Sequence, residues 1–332
     1  MTEPILTVEQ LVISFPTETG RTPVVDRVAL SIAPGETLAV VGESGCGKSI
    51  TALAIMRLVP RPGQVEPTSR IWFEGRDLLS LPVPDMRTVR GSRIGMIFQE
   101  PMTSLNPVTP VGDQVMEAVL LHAKISRSEA RRRVLEQFAL VGIPSPELRF
   151  GAYPHQLSGG LKQRVMIAMA MTMKPRLLIA DEPTTALDAT IRAQILDLIR
   201  NLAATTGTAV LLITHDFGVV NEVADRVAVM YAGQIVEEGT RVELLSRPRH
   251  PYTQGLLRSI PRPEARGTRL NEIQGMVPRP GHWPAACRFH TRCPRAFDRC
   301  RSERRRKRAF RRRKPLGATS SSKGCGRERT YQ

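Results

Sequence analysis

The stretch VVGESGCGKSITAL, residues 40–53, places three glycines, a lysine and a serine between an apolar run and a segment with helical spacing. Its pattern, Gly42-x-x-x-x-Gly47-Lys48-Ser49, fits a phosphate-binding loop. Glycines let the backbone N–H groups curl inward towards phosphate oxygens, and the helix that follows adds its positive N-terminal end. We expect Lys48 to contact the β- and γ-phosphates and Ser49 to hold Mg²⁺. The predicted nucleotide-binding residues are Gly42, Glu43, Ser44, Gly45, Cys46, Gly47, Lys48, Ser49 and Ile50.

Two adjacent carboxylates follow a buried strand in LLIADEP, residues 177–183. We expect Asp181 to complete the Mg²⁺ shell and Glu182 to polarise an attacking water as general base. An apolar run that ends in Asp-Glu is a weak signal alone and gains weight from Lys48. The competing interpretation of the glycine loop is a tight turn with a surface lysine, which would not need a strand before it and a helix after it.

The stretch LSGGLKQR, residues 157–164, resembles the signature motif of the ATP-binding cassette (ABC) ATPases. Ser158, Gly159 and Gly160 would open a helix and so form a second phosphate-binding N-terminus. In the ABC family this second site faces the γ-phosphate of the nucleotide that the other subunit holds. The resemblance therefore implies a head-to-tail dimer with ATP at the interface.

Further ABC motifs follow in family order. Gln99 in IFQEP resembles the Q-loop, which implies contact with Mg²⁺ and the attacking water, and switching with a membrane partner. Asp188 in TALD resembles the D-loop that reaches across the dimer, and His215 in ITHD resembles the switch histidine on the γ-phosphate. Phe15 is the candidate for stacking on adenine, although it could equally belong to the core.

Strands and helices alternate along most of the chain, which predicts an α/β fold with a mostly parallel sheet. We expect an edge strand at 5–15, a helix at 49–59 after the loop, buried strands at 177–181 and 209–214, and a hairpin that turns near Ala232-Gly233. The resemblance implies a P-loop NTPase core, an N-terminal antiparallel β subdomain and a helical insert that carries the signature motif. The predicted units are the ATP-binding domain at 1–245 with its insert at about 105–175, an irregular C-terminal extension at 246–300, and a tail at 301–332.

The net charge of +17 is concentrated at the C-terminus. Residues 301–332 hold thirteen Lys and Arg against two Asp and Glu, or +11, which leaves +6 for the first 300 residues. Such a block is usually a solvated, disordered tail and only sometimes binds nucleic acid or anionic lipid. No apolar run approaches the roughly 20 residues of a membrane span, and the first residues lack the basic region of a secretory signal. We expect a cytoplasmic chain that docks on a membrane partner.

Residues 249–261, RHPYTQGLLRSIP, and the stretch from 271 to 300 resemble the C-terminal extension of ATPases from oligopeptide, dipeptide and nickel importers. This resemblance implies ATP-driven uptake of peptides or a related solute at the cytoplasmic face of the plasma membrane. It also implies integral permease subunits, a second ATPase subunit that is either a copy or a paralogue, and, indirectly, an external binding protein. A nickel or glutathione importer is the alternative within the same group.

Cys287, Cys293 and Cys300 lie close together in the sequence, and Cys325 is the one thiol left as a fourth ligand. In some members of the group such cysteines hold an iron–sulfur cluster. Three interpretations stay open: a [4Fe–4S] site, a zinc site that uses His290, and reduced structural thiols. The tail departs abruptly from the family composition, as a shifted reading frame would produce, and this puts Cys325 in doubt as a ligand.

Two other classes of protein compete with a transporter ATPase. A soluble ABC ATPase acting on nucleic acid would be supported only by the arginine tail, and the spacing of about a hundred residues between loop and signature leaves no room for the long insertions of DNA-repair members. A non-catalytic binding module would have little use for Glu182.

Overall fold

The computed structural model describes residues 3–18, 20–99, 104–185, 187–260 and 272–303. The strands of these residues are β1 (Leu6–Thr17), β2 (Gly20–Ile32), β3 (Thr37–Val41), β4 (Gln64–Val65), β5 (Arg70–Phe73), β6 (Arg76–Asp77), β7 (Ile94–Ile97), β8 (Leu177–Asp181), β9 (Ala209–Thr214), β10 (Arg226–Tyr231) and β11 (Gln234–Thr240). The helices are α1 (Lys48–Ile55), α2 (Val83–Val89), α3 (Val111–His122), α4 (Arg127–Leu140), α5 (Pro146–Phe150), α6 (Gly159–Met171), α7 (Ala189–Thr206), α8 (Phe217–Val223), α9 (Arg241–Ser246), α10 (Pro251–Arg258) and α11 (Asp298–Ser302).

The larger sheet has the strand order β11-β10-β3-β9-β8-β7. Its strands pair in parallel except for β11, which forms the predicted hairpin with β10. Every residue of β8 and β9 is buried, as continuous apolar runs require when both faces of a parallel sheet are covered. Within β8, Leu177 and Ile179 belong to one apolar core while Leu178 and Ala180 belong to another. The sheet therefore lies between two cores.

The smaller sheet is antiparallel, with the order β2-β1-β5-β6 and with β4 also paired to β1. The prediction of an edge strand at 5–15 was wrong, because β1 pairs with β2 on one side and with β4 and β5 on the other. Alternation of apolar and polar residues reports which face of a strand is buried and carries no information about its hydrogen-bonding edges. This sheet packs on the larger one through the core that contains Leu6, Ile13 and Val28.

Helix α1 is shorter than its apolar pattern predicts. The pattern continues to Val59, but α1 ends at Ile55, and Arg57 adopts the left-handed conformation with φ of 52°. A non-glycine residue at positive φ cannot continue a right-handed helix. The chain leaves the helix there and turns towards β4.

Helices α3 to α6 lie within the predicted insert at about 105–175 and pack around their own core, which includes Val115, Phe138 and Ile167. The same core reaches Leu178 and Ala180 of β8, so the insert rests on the larger sheet. In the residues that the structure describes after β11, the chain forms short helices separated by irregular segments. Across the described ranges, no helix combines the length and apolar character that crossing a membrane requires.

Candidate active site

The loop at residues 42–49 connects β3 to α1, as the sequence predicts. A Cβ atom at Gly42 would lie 2.2 Å from the carbonyl oxygen of Met230, a backbone atom that cannot move aside. Gly47 has φ of 108°, and a Cβ there would lie 2.8 Å from Met230 Cε. These glycines are needed because the loop runs directly against the end of β10.

Lys48 is buried, with 5% of its surface exposed. Its ammonium donates to the carbonyl oxygens of Gly42 at 2.8 Å and Glu43 at 3.1 Å. These bonds hold the cation on the inner side of the loop, where it can face phosphate oxygens. The buried thiol of Cys46 lies 3.8 Å from the same ammonium, and burial raises the pKa of this thiol.

Ser49 and Asp181 meet as predicted for a magnesium site. The Ser49 hydroxyl donates to Asp181 Oδ1 at 3.0 Å, and Asp181 is the last residue of β8. Burial raises the pKa of Asp181, although the hydrogen bond from Ser49 opposes the shift. A bound cation would favour the charged carboxylate, and hydroxyl and carboxylate oxygens are ligands that Mg²⁺ accepts. These two residues therefore fit the metal.

Glu182 lies next to Asp181 in the left-handed conformation, with φ of 47°, and its N–H donates to the Ile213 carbonyl at 2.9 Å. Its carboxylate accepts from Thr185 Oγ1 at 2.8 Å and from His215 Nδ1 at 3.2 Å. Burial raises the pKa of Glu182, but the hydrogen bonds from Thr185 and His215 outweigh it, so the net pKa lies below the usual glutamate range. The side chain is thus kept as an ionised carboxylate that can accept a proton from water.

Gln99 follows β7 at the same edge of the sheet. Because Ile97 of β7 pairs with Ala180 of β8, the segment after β7 emerges beside Asp181. Gln99 is exposed, and among the described residues it forms no hydrogen bond to Ser49, Asp181 or Glu182. Its role at Mg²⁺ and the attacking water stays a prediction.

The signature residues form the N-terminus of α6. Ser158 caps α6 by accepting from the Leu161 N–H at 3.4 Å, and a Cβ at Gly160 would lie 3.1 Å from Ile191 Cγ2 of α7. Asp188 caps α7 by accepting from the Ile191 N–H at 3.0 Å. The N-termini of α6 and α7 are therefore neighbours, and Ser158 and Gly159 are exposed to solvent. In the described chain, neither cap residue is hydrogen-bonded to residues 42–49.

Phe15 lies near the end of β1, half-buried against the core between the two sheets. A Cβ at Gly63 would lie 2.5 Å from Phe15 Cζ, so the ring packs closely over that glycine. This environment agrees with the core interpretation of Phe15, and stacking on adenine stays a prediction.

Several contacts of this site involve residues that the sequence did not single out. Thr185 lies inside the quoted TALD motif, and Gln163 lies inside LSGGLKQR, where its Nε2 donates to the Pro183 carbonyl at 2.6 Å. Motif spacing could have indicated both. Tyr252 and Arg292 also contact the loop, at Glu43, from more than 200 residues away. No local pattern in the sequence indicates those two contacts.

The cysteines of the C-terminal region do not form a ligand set within the described residues. Cys293 and Cys300 are free thiols, and the Cys287 N–H donates to the Cys300 carbonyl at 3.0 Å. No three His, Cys, Asp or Glu side chains converge as a metal site in the ranges that the structure describes. Cys325 lies outside those ranges. The described residues alone therefore do not supply the ligand set of a cluster.

A loop around a buried lysine, a Ser–Asp pair for Mg²⁺ and a Glu–His pair beside it define a phosphate-loop ATPase. Residues 25–185 match the ABC transporter family, and residues 236–300 match the oligopeptide/dipeptide transporter C-terminal region. The chain is 50% identical over 298 residues to the dipeptide transport ATP-binding protein DppD of Bacillus subtilis (strain 168), covering 90% of this chain and 89% of that protein. It is 54% identical over 275 residues to the oligopeptide transport ATP-binding protein OppD of the same strain, covering 82% and 77%.

Solved structures agree with this assignment. The dimeric structure of MJ0796, a bacterial ABC transporter cassette, superposes with a TM-score of 0.64 at 26% identity, covering 71% of this chain and 98% of that one. The structure of cbiO1 from Clostridium perfringens, part of the ABC transporter complex cbiONQ, superposes with a TM-score of 0.62 at 28% identity, covering 74% of this chain and 92% of that one. The chain belongs to the ABC transporter ATP-binding family and is an ATPase with the predicted α/β fold.

Replacing Glu182 by Gln should lower kcat for ATP hydrolysis by about 10²- to 10⁴-fold, because the amide cannot accept the proton of the attacking water. ATP binding should be retained, since Lys48 and the loop are unchanged. Steady-state ATPase rates and binding of a fluorescent ATP analogue measure the two effects. Glu222→Gln, an exposed glutamate on α8, is the matched control. Hydrolysis at the native rate in Glu182→Gln would refute Glu182 as the base.

Replacing Thr185 by Val should move the acidic limb of the kcat–pH profile to higher pH. The Thr185 hydroxyl lowers the pKa of Glu182, so its loss raises that pKa and protonates the base at a higher pH. At pH well above this limb the rate should change little. Thr205→Val on the exposed face of α7 is the control for a threonine-to-valine change. An unshifted acidic limb would mean that Thr185 does not tune the catalytic carboxylate.

Proposed function

We propose that the chain is the ATP-hydrolysing subunit of an importer that takes up dipeptides, oligopeptides or a related solute. The observation that carries this proposal is the pairing of Ser49 with Asp181 and of His215 with Glu182, combined with a C-terminal region of the oligopeptide/dipeptide transporter type. The functions named for relatives that cover most of this chain, dipeptide and oligopeptide transport, support it. The proposed division is a cassette at 1–245 with its insert, an extension at 246–300 and the tail beyond.

In this proposal each side chain of the site has one task. Lys48 and the N–H groups of the loop bind the phosphates, while Ser49 and Asp181 hold Mg²⁺, which would neutralise phosphate charge as the bond to the γ-phosphoryl group breaks. Glu182 accepts a proton from the attacking water. His215 orients the Glu182 carboxylate and contacts the γ-phosphate.

We further propose that the chain works as a head-to-tail dimer with a second ATPase subunit, either a copy or a paralogue. The exposed position of Ser158 supports a role at the nucleotide of a partner. A cassette of the same fold has been solved as a dimer. The dimer would lie at the cytoplasmic face of the plasma membrane and drive integral permease subunits, with an external binding protein that selects the solute. Nucleic acid is not a partner in this proposal.

The iron–sulfur expectation stays a prediction that depends on Cys325, because a [4Fe–4S] cluster needs four thiolates and the described C-terminal region supplies three, Cys287, Cys293 and Cys300. If the cluster exists, the full chain purified without oxygen should contain iron and sulfide, and Cys325→Ser should remove them. Zinc without iron would instead support a site that uses His290. Metal-free protein with four titratable thiols in this region would support reduced structural thiols.

The proposed function predicts an uptake defect in cells that lack this chain. Labelled dipeptides, longer peptides, glutathione and nickel would be supplied in turn, and peptide uptake should fall to background. The native chain and the Glu222→Gln control should restore it, whereas Glu182→Gln should not, because transport needs hydrolysis. Loss confined to nickel or glutathione would move the assignment to that alternative. Normal uptake of all four would contradict the importer proposal while leaving the ATPase intact.

A further inference from the structure

Two residues of the C-terminal region form hydrogen bonds with Glu43, the second residue of the phosphate-binding loop. Arg292 Nη1 donates to Glu43 Oε1 at 2.9 Å and Nη2 donates to Oε2 at 3.1 Å, a two-bond ion pair. The Tyr252 hydroxyl accepts from the Glu43 N–H at 3.0 Å. The side chain of Arg292 is 4% exposed and that of Glu43 is 30% exposed, so the ion pair is partly shielded from water, and Tyr252 is fully buried.

Arg292 is itself held in place by its own region. Its Nε donates to the Gln274 carbonyl at 2.9 Å, and Nη2 also donates to the Ile273 carbonyl at 3.1 Å. The guanidinium carbon lies 5.8 Å from the centre of the Tyr231 ring at the end of β10. A planar guanidinium fixed by four directed bonds gives Glu43 one preferred orientation.

Tyr252 is fixed by aromatic packing. Its ring centre lies 4.6 Å from that of Tyr231 and 5.3 Å from that of Phe289, in tilted contacts. Tyr231 belongs to the larger sheet, whereas Tyr252 and Phe289 come from the C-terminal region. Arg288 adds a separate attachment through Asp26 and the Ala232 carbonyl. The residues that contact Glu43 therefore belong to a part of the chain that packs against the larger sheet.

The Glu43 carboxylate needs a positively charged partner such as Arg292 for an electrostatic reason. Glu43 lies in the loop whose carbonyls hold Lys48, and the triphosphate of ATP would bring further negative charge to the same place. Like charges at short range repel, and the repulsion is weakly screened where water is excluded. Arg292 cancels the charge of Glu43. The loop also contains three glycines, so contacts that order it in advance reduce the entropy that ATP binding must remove.

We propose that Arg292 and Tyr252 are positioning residues of the ATP site, and that through them the C-terminal region sets the affinity of the loop for ATP. This proposal rests on ATP binding at residues 42–49 and is independent of which solute the importer carries. Neither residue touches the reacting atoms. Their effect passes entirely through Glu43.

The test is the Kd of a fluorescent ATP analogue, with Mg²⁺, for the purified full-length chain. Arg292→Met should raise Kd about tenfold, since it leaves the Glu43 charge unpaired beside the phosphates. Arg292→Lys keeps the positive charge without the two-bond geometry and should give an intermediate Kd. Tyr252→Phe removes only the hydroxyl and should raise Kd about threefold.

The decisive variant is Arg292→Met combined with Glu43→Gln. If the defect of Arg292→Met is the exposed charge of Glu43, removing that charge should return Kd to within about threefold of the native value. A merely structural role for Arg292 predicts defects that add or accumulate, and that result would overturn the proposal. Unchanged Kd in both Arg292→Met and Tyr252→Phe would also overturn it.

Two control variants distinguish a failure of this proposal from general destabilisation and from a wrong assignment of the ATP site. Arg226→Met removes partly buried ion pairs with Glu36 and Glu238 at the opposite end of the sheet. This variant therefore reports the effect of general destabilisation. The melting temperature of every variant measures how far it is destabilised. The Kd of Arg226→Met for the analogue should stay native; a rise equal to that of Arg292→Met would contradict a specific effect. Lys48→Ala should abolish binding, and retained binding there would show that the ATP site itself is misassigned. Loss in Lys48→Ala with no change in the Arg292 and Tyr252 variants would refute this inference alone.

Discussion

The parallel pairing of β3, β9 and β8 is the constraint on which the site depends. Val41 pairs with Thr214, and Ile213 pairs with Asp181, so the three strands end at nearly the same level. Parallel strands bring their carboxyl ends to one edge, and the segments that follow them carry the loop, the two carboxylates and His215. Side chains that lie 132 positions apart (Ser49 and Asp181) and 33 positions apart (Glu182 and His215) are thereby held within hydrogen-bond distance.

At that edge, two adjacent carboxylates acquire opposite properties from their surroundings. Asp181 ends the buried strand, and burial raises its pKa, which favours a site that a cation completes. Glu182 turns out of the strand in a left-handed conformation, and the hydrogen bonds from Thr185 and His215 lower its pKa despite burial. The change of backbone direction between these residues separates the predicted metal ligand from the predicted proton acceptor.

The sequence predicts the parts of the molecule whose signal is local. The runs at 37–41, 177–181 and 209–214 are strands at the predicted positions, because continuous apolar residues are typical of strands buried on both faces. The glycine loop lies where its pattern requires. The position of β1 inside its sheet was not predictable, because it depends on pairing with β5 some 60 residues later. The early end of α1 depends on the conformation of Arg57, which the apolar pattern does not encode.

The contacts of Glu43 at the site were likewise not predictable from a local signal in the sequence. The catalytic side chains come from residues 42–215, whereas Tyr252 and Arg292 come from the region that matches a separate family, at 236–300. The inner side of the loop is ordered by Lys48 and by the close approach of Met230, both within the cassette. Its outer side, at Glu43, is ordered by Tyr252 and Arg292, which follow the cassette in the chain. A sequence motif describes only the inner side, because its fixed positions are those that are predicted to contact phosphate. The loop can therefore be recognised from its sequence motif alone, whereas the contacts that order its outer side come from residues outside the motif.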